Sequence, residues 1–297
     1  MSISRQNLSA VIVTFNSDKV IYNCVQSIPD DIKIFIVDNS NDKRFKENIE
    51  KKYNNIECVL SSENLGMGSG NNLGLRHIKT DYAIILNPDV VLEKDTIQEI
   101  INESKHISNF AILAPLSIDP KYPNYKLSNK SNNESNNHMP FKVKSVDGFA
   151  MVLNLKKINL IENFKNFNYF DENFFMYLEN DDLCKRLIEN NENIFVIPKS
   201  KIKHLGARGV NPEHAYEVEL SRNWHWIWSK FYFNKKHKGY LYAFFTGIPY
   251  FLSAALKFIL YLVLNNKKKK KIYLQRISGF LTAVMGKKSY YRPKIKN

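Results

Sequence analysis

Residues 82–89 read Tyr-Ala-Ile-Ile-Leu-Asn-Pro-Asp, an apolar run that ends in an Asn-Pro-Asp turn. A short run of β-branched and aromatic residues bounded by turn residues is typical of a buried strand. The turn by itself has a common structural explanation, since Asn, Pro and Asp also cap the helix that follows a strand. The stretch therefore predicts a strand whose carboxyl end carries the carboxylate of Asp89.

Further apolar runs on both sides of this strand alternate with helical patterns. Strands are predicted at residues 9–15, 33–38, 56–60, 82–87 and 111–115, and helices at 20–27, 43–53, 71–78 and 94–108. Such alternation is typical of parallel βαβ units. The pattern predicts an α/β fold with an open sheet covered by helices on both faces. In such sheets ligands bind beyond the carboxyl ends of the strands, which directs the search for functional residues to the turns there.

The region after the fifth strand is less regular. Residues 119–138 are rich in Lys, Asn, Ser and Pro, which predicts a flexible surface loop or lid. Order returns at 143–153, and a helix is predicted at about 182–189. Two short strands, 194–197 and 201–204, are expected to close the domain.

Charge is distributed unevenly along the 297 residues. The net charge is +14, but residues 199–297 hold 21 basic and 3 acidic residues, so residues 1–198 are mildly acidic. The three cysteines form no CxxC pair, which argues against a thiolate zinc site and fits a reducing cytosol. The first residues have no apolar segment typical of a signal peptide, so the chain is expected to start in the cytoplasm.

The C-terminal third combines apolar and basic segments. Residues 240–264 include 20 apolar residues of 25, enough to cross a bilayer, but Pro249 and Lys257 interrupt the run. Lysines precede it, and Lys267–Lys271 follow it, so a single span would place one basic cluster on the disfavoured side. In-plane or re-entrant helices on an anionic membrane surface fit better. A packed helical hairpin with a solvated basic tail is the alternative.

Several polar groups are candidates for chemistry. Asp89 is placed to hold Mg²⁺ or Mn²⁺ against a diphosphate, since hard cations take oxygen ligands. Three acids, Glu179, Asp181 and Asp182, crowd a predicted helix start, where they either stabilise the helix or supply a general base. His204 follows a predicted strand. The glycines between residues 66 and 74 fit neither GxGxxG nor a P-loop, so they either turn the chain or contact a nucleotide.

Together these segments resemble the family 2 glycosyltransferases of GT-A fold, and in particular a bacterial rhamnosyltransferase-like branch that acts on lipid-linked glycans. The similarity covers about residues 9–230. The matching segments are 11–16, 37–40, 64–66 with 70–74, 86–89, 147–151, 170–177, 179 with 182–186, and 204–206. The resemblance implies a Rossmann-like mixed sheet in a GT-A domain at 1–230. The remaining residues, 231–297, are predicted to form an apolar and polybasic helical membrane-association region.

The resemblance also implies roles for individual residues. The nucleotide-sugar donor would be bound by Thr14, Asn16, Asp38, Asn64, Gly66, Asn71, Asn87 and Asp89. The divalent cation, Mg²⁺ or Mn²⁺, would be held by Asp89 and His204, and the acceptor would meet Gly148, Phe149 and Tyr177. The Glu179–Asp182 segment would supply the base.

Two departures from the family pattern stand out. Many relatives have Glu-Asp where this chain has Glu179-Asn180, and an amide cannot deprotonate a hydroxyl at neutral pH. Glu179 is therefore the first candidate for the base, with Asp181 next, and impaired activity is the third possibility. The metal motif begins with Asn87 instead of an Asp, which leaves Asp89 as its one anionic ligand.

The resulting functional hypothesis is an inverting glycosyltransferase that builds a surface polysaccharide at the cytoplasmic face of the bacterial inner membrane, as a peripheral or monotopic protein. The expected donor is dTDP-rhamnose and the expected acceptor a polyprenyl-diphosphate-linked or other glycan. Alternatives are another donor, such as galactofuranose or an N-acetylhexosamine, or a non-catalytic lipid- or nucleic-acid-binding protein. Nucleic acid is not expected, because the basic residues flank an apolar run and do not interleave with a stacking surface.

Overall fold

The structure is a computed structural model that describes residues 2–119, 123–127, 138–206 and 210–294. Most of the predicted polar loop at 119–138 lies outside these residues. The strands are β1 Leu8–Thr14, β2 Lys33–Asp38, β3 Ile56–Leu60, β4 Tyr82–Leu86, β5 Val90–Leu92, β6 Ile112–Ser117, β7 Tyr125–Lys126, β8 Phe141–Lys142, β9 Ser145–Val146, β10 Ala150–Asn154 and β11 Ile194–His204. The helices are α1 Ile21–Gln26, α2 Lys43–Lys52, α3 Gly66–Leu75, α4 Thr96–Ser104, α5 Leu155–Ile158, α6 Glu179–Glu189, α7 Ala215–Lys238, α8 Tyr240–Val263 and α9 Lys267–Val284.

Within the described residues, one mixed sheet has the order β3-β2-β1-β4-β10-β6-β11-β5, with β8 also paired to β11. Strands β3, β2, β1 and β4 are parallel neighbours. Strand β10 is antiparallel to both β4 and β6, so it lies between two strands that precede it in sequence. The predicted α/β fold class is confirmed.

Helices cover both faces of the sheet because its central strands are apolar on both sides. All residues of β1 and β4 are buried. Alternate residues of β4 enter different cores: Ile84 packs with residues of α1, α2 and α4, whereas Ile85 packs with residues of α3, α5 and α6.

One strand replaces the two that were predicted near residue 200. β11 runs from Ile194 to His204 and pairs in parallel with β6, with a register shift between Ile197 and Lys201. Pro198 lies in that interval and has no backbone N–H to donate, so an irregularity is favoured there. The bulge lets the strand continue to His204, whose register partner is Val90 of β5.

The chain divides into two compact units. The first contains the sheet and most residues up to Asn211, and the second contains Pro212–Asn297 with the short segments Gly66–Gly68 and Glu172–Glu179. Helix α7 crosses the predicted boundary at residue 230 without a break, and the second unit contains the whole helix.

In the second unit, α7, α8 and α9 pack around an aromatic cluster that includes Trp224, Trp228, Phe231 and Phe280. Helix α8 contributes little to this core, since only Ala243 and Ala254 of its residues are buried. Among the described residues, α8 is the one helix long and apolar enough to cross a membrane, with a mean hydropathy of 1.6 over its most apolar window.

Candidate active site

The carboxyl ends of β2, β1 and β4 meet at one edge of the sheet because these strands are parallel neighbours. Thr14 and Asp38 are register partners at the ends of β1 and β2. The hydroxyl of Thr14 donates to Asp38 Oδ1 at 3.1 Å. Two residues predicted to bind the donor are thus brought together at this edge.

Asp38 organises the turn that follows β2. Its Oδ1 also accepts from the backbone N–H of Ser40 at 3.2 Å and from the Ser40 hydroxyl at 2.5 Å, while Oδ2 accepts from the backbone N–H of Asp42 at 2.8 Å. Hydrogen bonds to backbone N–H and hydroxyl groups satisfy a buried carboxylate without a cation. The carboxylate therefore has a structural role beside its predicted role in donor binding.

Asp89 and His204 lie together as the sequence predicted. Antiparallel pairing of β5 with β11 places His204 beside Val90, and the backbone N–H of Leu205 donates to the Asp89 carbonyl at 3.0 Å. Asp89 Oδ1 and His204 Nε2 are 3.4 Å apart. The His204 ring stacks on Phe149, a predicted acceptor residue, with ring centroids 4.1 Å apart.

These residues fit a divalent cation. A carboxylate oxygen and an imidazole nitrogen 3.4 Å apart can bind one ion. The carboxylate suits Mg²⁺ or Mn²⁺, whereas an imidazole ligand favours Mn²⁺ over the harder Mg²⁺. The described residues contain no cluster of three or more His, Cys, Asp or Glu side chains suited to a metal. The protein thus supplies few ligands, as in sites where Mg²⁺ keeps water and substrate phosphate oxygens in its shell.

Two asparagines near the sheet edge have amide oxygens suited to a ligand. Asn71 Oδ1 and Asn87 Oδ1 are buried and have no hydrogen-bond partner among the residues that the structure describes. The neighbouring Asn72 differs, since its amide donates to the Phe170 carbonyl at 2.8 Å and accepts from the Phe170 N–H at 3.0 Å. An unpaired buried acceptor costs about 1–3 kcal/mol, so a ligand donor or a cation would stabilise both sites.

The other predicted donor residues differ in setting. Asn16 has a left-handed backbone with φ of 50°, and its carbonyl accepts from the Asn211 N–H at 3.1 Å. Asn64 is half-buried in the turn between β3 and α3. At Gly66, with φ of 79°, a Cβ would lie 2.1 Å from the Phe175 carbonyl oxygen. Close packing against Phe175 therefore explains this glycine without a nucleotide.

The acids at the start of α6 have different partners. Asp182 is fully buried, and its Oδ2 accepts from Arg186 Nε one helical turn later at 2.8 Å. The carboxylate of Asp181 accepts from Lys126 Nζ at 2.7 and 2.8 Å. Removing one partner of a buried pair leaves a charge without compensation, so Asp182 is best explained as a structural residue.

The amide at position 180 has a local structural role. Asn180 Nδ2 donates to the Val146 carbonyl at 2.7 Å, and a Cβ built at Gly148 would lie 3.2 Å from the Asn180 Cβ. A carboxylate at this position could not donate that hydrogen bond. Asn180 thus fixes the start of α6 against the segment that precedes Gly148 and Phe149.

The segment before Glu179 is conformationally strained. Tyr177 and Leu178 have φ of 70° and 68°, which is the left-handed region that side chains rarely adopt. Burial raises the pKa of the Tyr177 hydroxyl; the Arg222 charge opposes this shift, and the Glu179 charge adds to it. Glu179 is itself buried. Strained residues cluster at functional sites, so the strain at Tyr177 and Leu178 is consistent with a functional role of this segment.

Asp147 lies in the family-like segment 147–151 but was not among the predicted site residues. Burial raises the pKa of its carboxyl, while the charges of Lys126 and His204 oppose that shift. It therefore shares the electrostatic environment of His204 and Asp181, which no local sequence signal indicates.

Cysteine chemistry is disfavoured in this unit. All three thiols are buried, and burial raises the pKa of Cys58 and of Cys184 to about 12. Burial raises the pKa of Cys24 as well, and the Asp89 carboxylate adds to the effect. A thiolate nucleophile at neutral pH is thus not supported.

The predicted site residues fall into both compact units. The first unit contains Thr14, Asn16, Asp38, Asn64, Asn71, Asn87, Asp89, Gly148, Phe149, Asp181, Asp182 and His204. The second contains Gly66, Tyr177 and Glu179.

Known proteins share parts of this sequence and fold. The chain is 26% identical over 211 residues to the low-salt glycan biosynthesis hexosyltransferase Agl10 of Haloferax volcanii, an alignment of 63% of this chain and 64% of that protein. The chain thus spans less than two thirds of this relative.

Solved structures show the same fold at low identity. The mannosyltransferase PcManGT from Pyrobaculum calidifontis, in complex with GDP-Man and Mn²⁺, superposes with a TM-score of 0.55 at 12% identity and covers 96% of this chain and 89% of its own. TarS 1–349 of S. aureus superposes with a TM-score of 0.50 at 15% identity, and the match covers 96% of this chain and 93% of the TarS chain. GalNAc-T7 with UDP, GalNAc and Mn²⁺ superposes with a TM-score of 0.52 at 12% identity, and the match covers 66% of this chain and 43% of the GalNAc-T7 chain.

These neighbours share the GT-A arrangement of a mixed sheet flanked by helices. The family model for glycosyl transferase family 2 matches residues 9–160, just over half of the chain. That match contains the sheet edge with Thr14, Asp38 and Asp89. The chain belongs to glycosyl transferase family 2.

Proposed function

We propose that this protein is an inverting, metal-dependent glycosyltransferase that moves a sugar from a nucleotide donor to a hydroxyl of a lipid-linked glycan. The observation that carries the proposal is the Asp89–His204 pair, 3.4 Å apart at the carboxyl edge of the sheet. The family match and the fold support it. L-rhamnose from dTDP-rhamnose is the first donor to test, and galactofuranose and N-acetylhexosamines are the alternatives.

Donor binding is assigned to the first unit. Asn71 Oδ1 and Asn87 Oδ1 are buried acceptors that hydroxyl or N–H groups of a nucleotide sugar can satisfy. Asp89 and His204 would hold Mg²⁺ or Mn²⁺. When bound, the ion neutralises negative charge on the departing diphosphate. Phe149, which stacks on His204, orients that imidazole and offers an apolar face to a sugar.

Glu179 is the proposed base. Its carboxylate takes the proton of the acceptor hydroxyl while the hydroxyl oxygen attacks the anomeric carbon and the nucleoside diphosphate departs from the opposite side. One bond forms and one breaks at that carbon, so its configuration inverts. The choice is supported by the engagement of Asp181 with Lys126 and of Asp182 with Arg186. The Asn180 amide donates to the backbone carbonyl of Val146, and an amide cannot act as a general base.

A lipid-linked acceptor fits the C-terminal unit. Helix α8 exposes Leu241, Phe245, Leu252, Leu256 and Val263, spaced as one row along a helix. Apolar surface combined with lysine clusters binds anionic membrane surfaces. We place the protein at the cytoplasmic face of the bacterial inner membrane, peripheral or monotopic, where polyprenyl-diphosphate glycans would be within reach.

The test is release of nucleoside diphosphate from a panel of nucleotide sugars, dTDP-rhamnose included, with a short polyprenyl-diphosphate glycan as acceptor and either Mn²⁺ or EDTA. Wild type is compared with Glu179→Gln and with Asp181→Asn as a matched control that also removes one carboxylate charge. Turnover that requires metal, acceptor and Glu179 supports the proposal.

Two outcomes would overturn parts of it. Turnover that survives in Glu179→Gln and is lost in Asp181→Asn moves the base to Asp181. No turnover with any donor, from folded protein that still binds a nucleoside diphosphate, favours a degenerate binding protein in which Asn180 replaces an acid.

A further inference from the structure

The second compact unit, which contains α7, α8 and α9 and is called the helical unit from here on, has a small basic cavity. We call this cavity the lysine pocket. It has a volume of about 70 Å³ and is lined by Asn173, Trp228, Tyr232, Lys235, Lys287 and Lys288, among others. Trp228 and Tyr232 lie on α7 and are at most partly exposed, whereas the three lysines are exposed. The pocket thus combines an aromatic lining with ammonium groups, and none of the proposed donor residues lines it.

Hydrogen bonds fix the backbone that carries two of these lysines. Helix α9 ends at Val284, and Gly286, two residues later, has a φ of 70° that reverses the chain. The N–H of Lys287 donates to the Thr282 carbonyl at 3.1 Å, and the N–H of Gly286 to the Ala283 carbonyl at 3.0 Å. This is a Schellman ending. Trp228 Nε1 then donates to the Lys287 carbonyl at 3.0 Å.

A second set of contacts holds the opposite side of the pocket. Asn173 Nδ2 donates to the Tyr232 hydroxyl at 3.1 Å, and the Ser289 hydroxyl donates to the Asn173 carbonyl at 2.8 Å. The segment after Gly286 is therefore tied to α7 and to residue 173. The backbone and the aromatic side chains of the cavity are therefore organised before any ligand binds, which lowers the entropic cost of binding.

Charge identifies the class of ligand. No carboxylate forms a salt bridge with Lys235, Lys287 or Lys288 in the part of the chain that the structure describes. Beyond Glu219 the sequence has no acidic residue. Three cations around one cavity repel each other, so an anion bound among them is favoured. A phosphate group, with several strong acceptor oxygens, suits ammonium and amide donors.

The size of the pocket and its position near α8 indicate which kind of molecule carries the phosphate. A cavity of about 70 Å³ is far smaller than the roughly 300–1,000 Å³ that encloses a drug-sized ligand, so it fits one head group. Lys235 precedes the apolar helix α8 by five residues, and the Tyr240 hydroxyl at the start of α8 donates to the Val284 carbonyl just before the pocket turn. The pocket and the exposed apolar row of α8 are thus connected within one unit.

We propose that the lysine pocket binds a phosphate group carried by a membrane lipid while the apolar row of α8 rests in the lipid surface. This site and the proposed function both involve the helical unit at a membrane surface. Lipid binding is measured without a sugar donor and without turnover, so the lipid site and the transferase activity can be disproved separately.

The experiment measures binding of the full chain to vesicles of phosphatidylcholine with 20% phosphatidic acid, compared with phosphatidylcholine alone, by flotation. Lys287→Gln with Lys288→Gln is compared with Lys267→Gln with Lys271→Gln, which removes the same charge at the other end of α9, a helix about 27 Å long. Thermal unfolding checks that both variants fold. The pocket variant is expected to lose at least about ten-fold more affinity than the control. Equal losses would show general electrostatic attraction and overturn the pocket.

A second measurement identifies the source of the phosphate. Dihexanoyl phosphatidic acid below its micelle concentration and inorganic phosphate are titrated separately into the protein, with tryptophan fluorescence as the readout. The short-chain lipid is expected to bind and to lose binding in the Lys287/Lys288 variant. Inorganic phosphate that binds as tightly as the lipid would overturn the assignment to a lipid, and binding of neither would overturn the site.

Discussion

The first unit, called here the sheet unit, buries its apolar residues, whereas the helical unit exposes many of its own. In the sheet unit, every residue of β1 and β4 is buried by helices of the same unit. In the helical unit, α8 is strongly apolar, yet residues such as Leu256 and Val263 are 69% and 78% exposed. A soluble protein rarely exposes a large continuous apolar row unless something else covers it. Among the described residues, the first unit therefore buries its own apolar strands, whereas the second leaves the apolar row of α8 exposed.

The strongest test of that contrast compares two truncations of similar size. Ile84→Ala in β4 removes a fully buried side chain and is expected to cost about 2–5 kcal/mol of unfolding free energy. Leu256→Ala in α8 is expected to cost less than about 0.5 kcal/mol, since exposed positions contribute little. Urea denaturation followed by circular dichroism measures both.

The same pair of variants should show the reverse order in lipid binding. Leu256→Ala is expected to weaken flotation with anionic vesicles, whereas Ile84→Ala should leave it unchanged at temperatures where the protein is folded. A Leu256→Ala variant that is as destabilised as Ile84→Ala would mean that α8 packs in the free protein, and the contrast between the units would be wrong.

A buried histidine makes the helical unit sensitive to acid. Burial lowers the pKa of His225 to about 4, and its Nε2 lies 2.8 Å from the Tyr291 carbonyl oxygen. An unfolded histidine titrates near 6.5, so between about pH 6.5 and 4 the unfolded chain binds a proton that the folded chain does not. Stability is therefore full above pH 6.5 and is lost as pH falls, by up to about 3 kcal/mol.

Unfolding of wild type and His225→Phe as a function of pH measures this effect. The variant lacks the titrating ring and should lose the part of the pH dependence that lies between 6.5 and 4. An identical pH profile in both proteins would assign the acid sensitivity to other groups.

In each unit a glycine packs closely against a neighbouring element, and replacing it by alanine is expected to lower stability by a smaller amount. A Cβ at Gly279 of α9 would lie 2.4 Å from the Trp224 carbonyl oxygen, while one at Gly74 of α3 would lie 2.5 Å from the Val11 Cγ1. Overpacking costs about 1–3 kcal/mol, and a backbone atom yields less than a methyl group. Gly279→Ala should therefore destabilise more than Gly74→Ala in thermal unfolding. The opposite order would show that α9 shifts more easily than the sheet.

The smallest effect is expected at the Lys126–Asp181 ion pair. The Lys126 side chain is 49% exposed, so solvent screens the pair and Asp181→Asn should change stability by less than about 1 kcal/mol. Turnover should stay within a few-fold of wild type if Glu179 is the base. Loss of turnover in a stable Asp181→Asn protein would contradict that assignment.

Local sequence patterns predicted the parallel half of the sheet well. The strands at 33–38 and 56–60 have the predicted bounds, because short runs rich in apolar residues and bounded by polar or turn residues can be recognised without information from distant residues. The prediction that Asp89 and His204 share a metal came from a family resemblance and not from spacing; the structure shows their side chains 3.4 Å apart.

What the sequence could not predict depends on contacts between distant residues. The position of β10 between β4 and β6 is set by antiparallel pairing over many residues. Asn71 and Asn72 look equivalent in sequence, yet only Asn72 has its amide bound to Phe170. The Schellman turn that forms the lysine pocket needs Trp228 on another helix to fix it.

Asp89 and His204 are proposed to hold a divalent cation against a nucleoside diphosphate. Calorimetric titration of dTDP, UDP and GDP into wild type, Asp89→Asn and His204→Ala, each with Mn²⁺ or EDTA, tests it most directly. At least one diphosphate is expected to bind wild type only with Mn²⁺, and Asp89→Asn should weaken this binding at least about ten-fold, with a smaller loss in His204→Ala. Equal affinity in EDTA, or in folded Asp89→Asn with Mn²⁺, would show that Asp89 and His204 do not hold the cation.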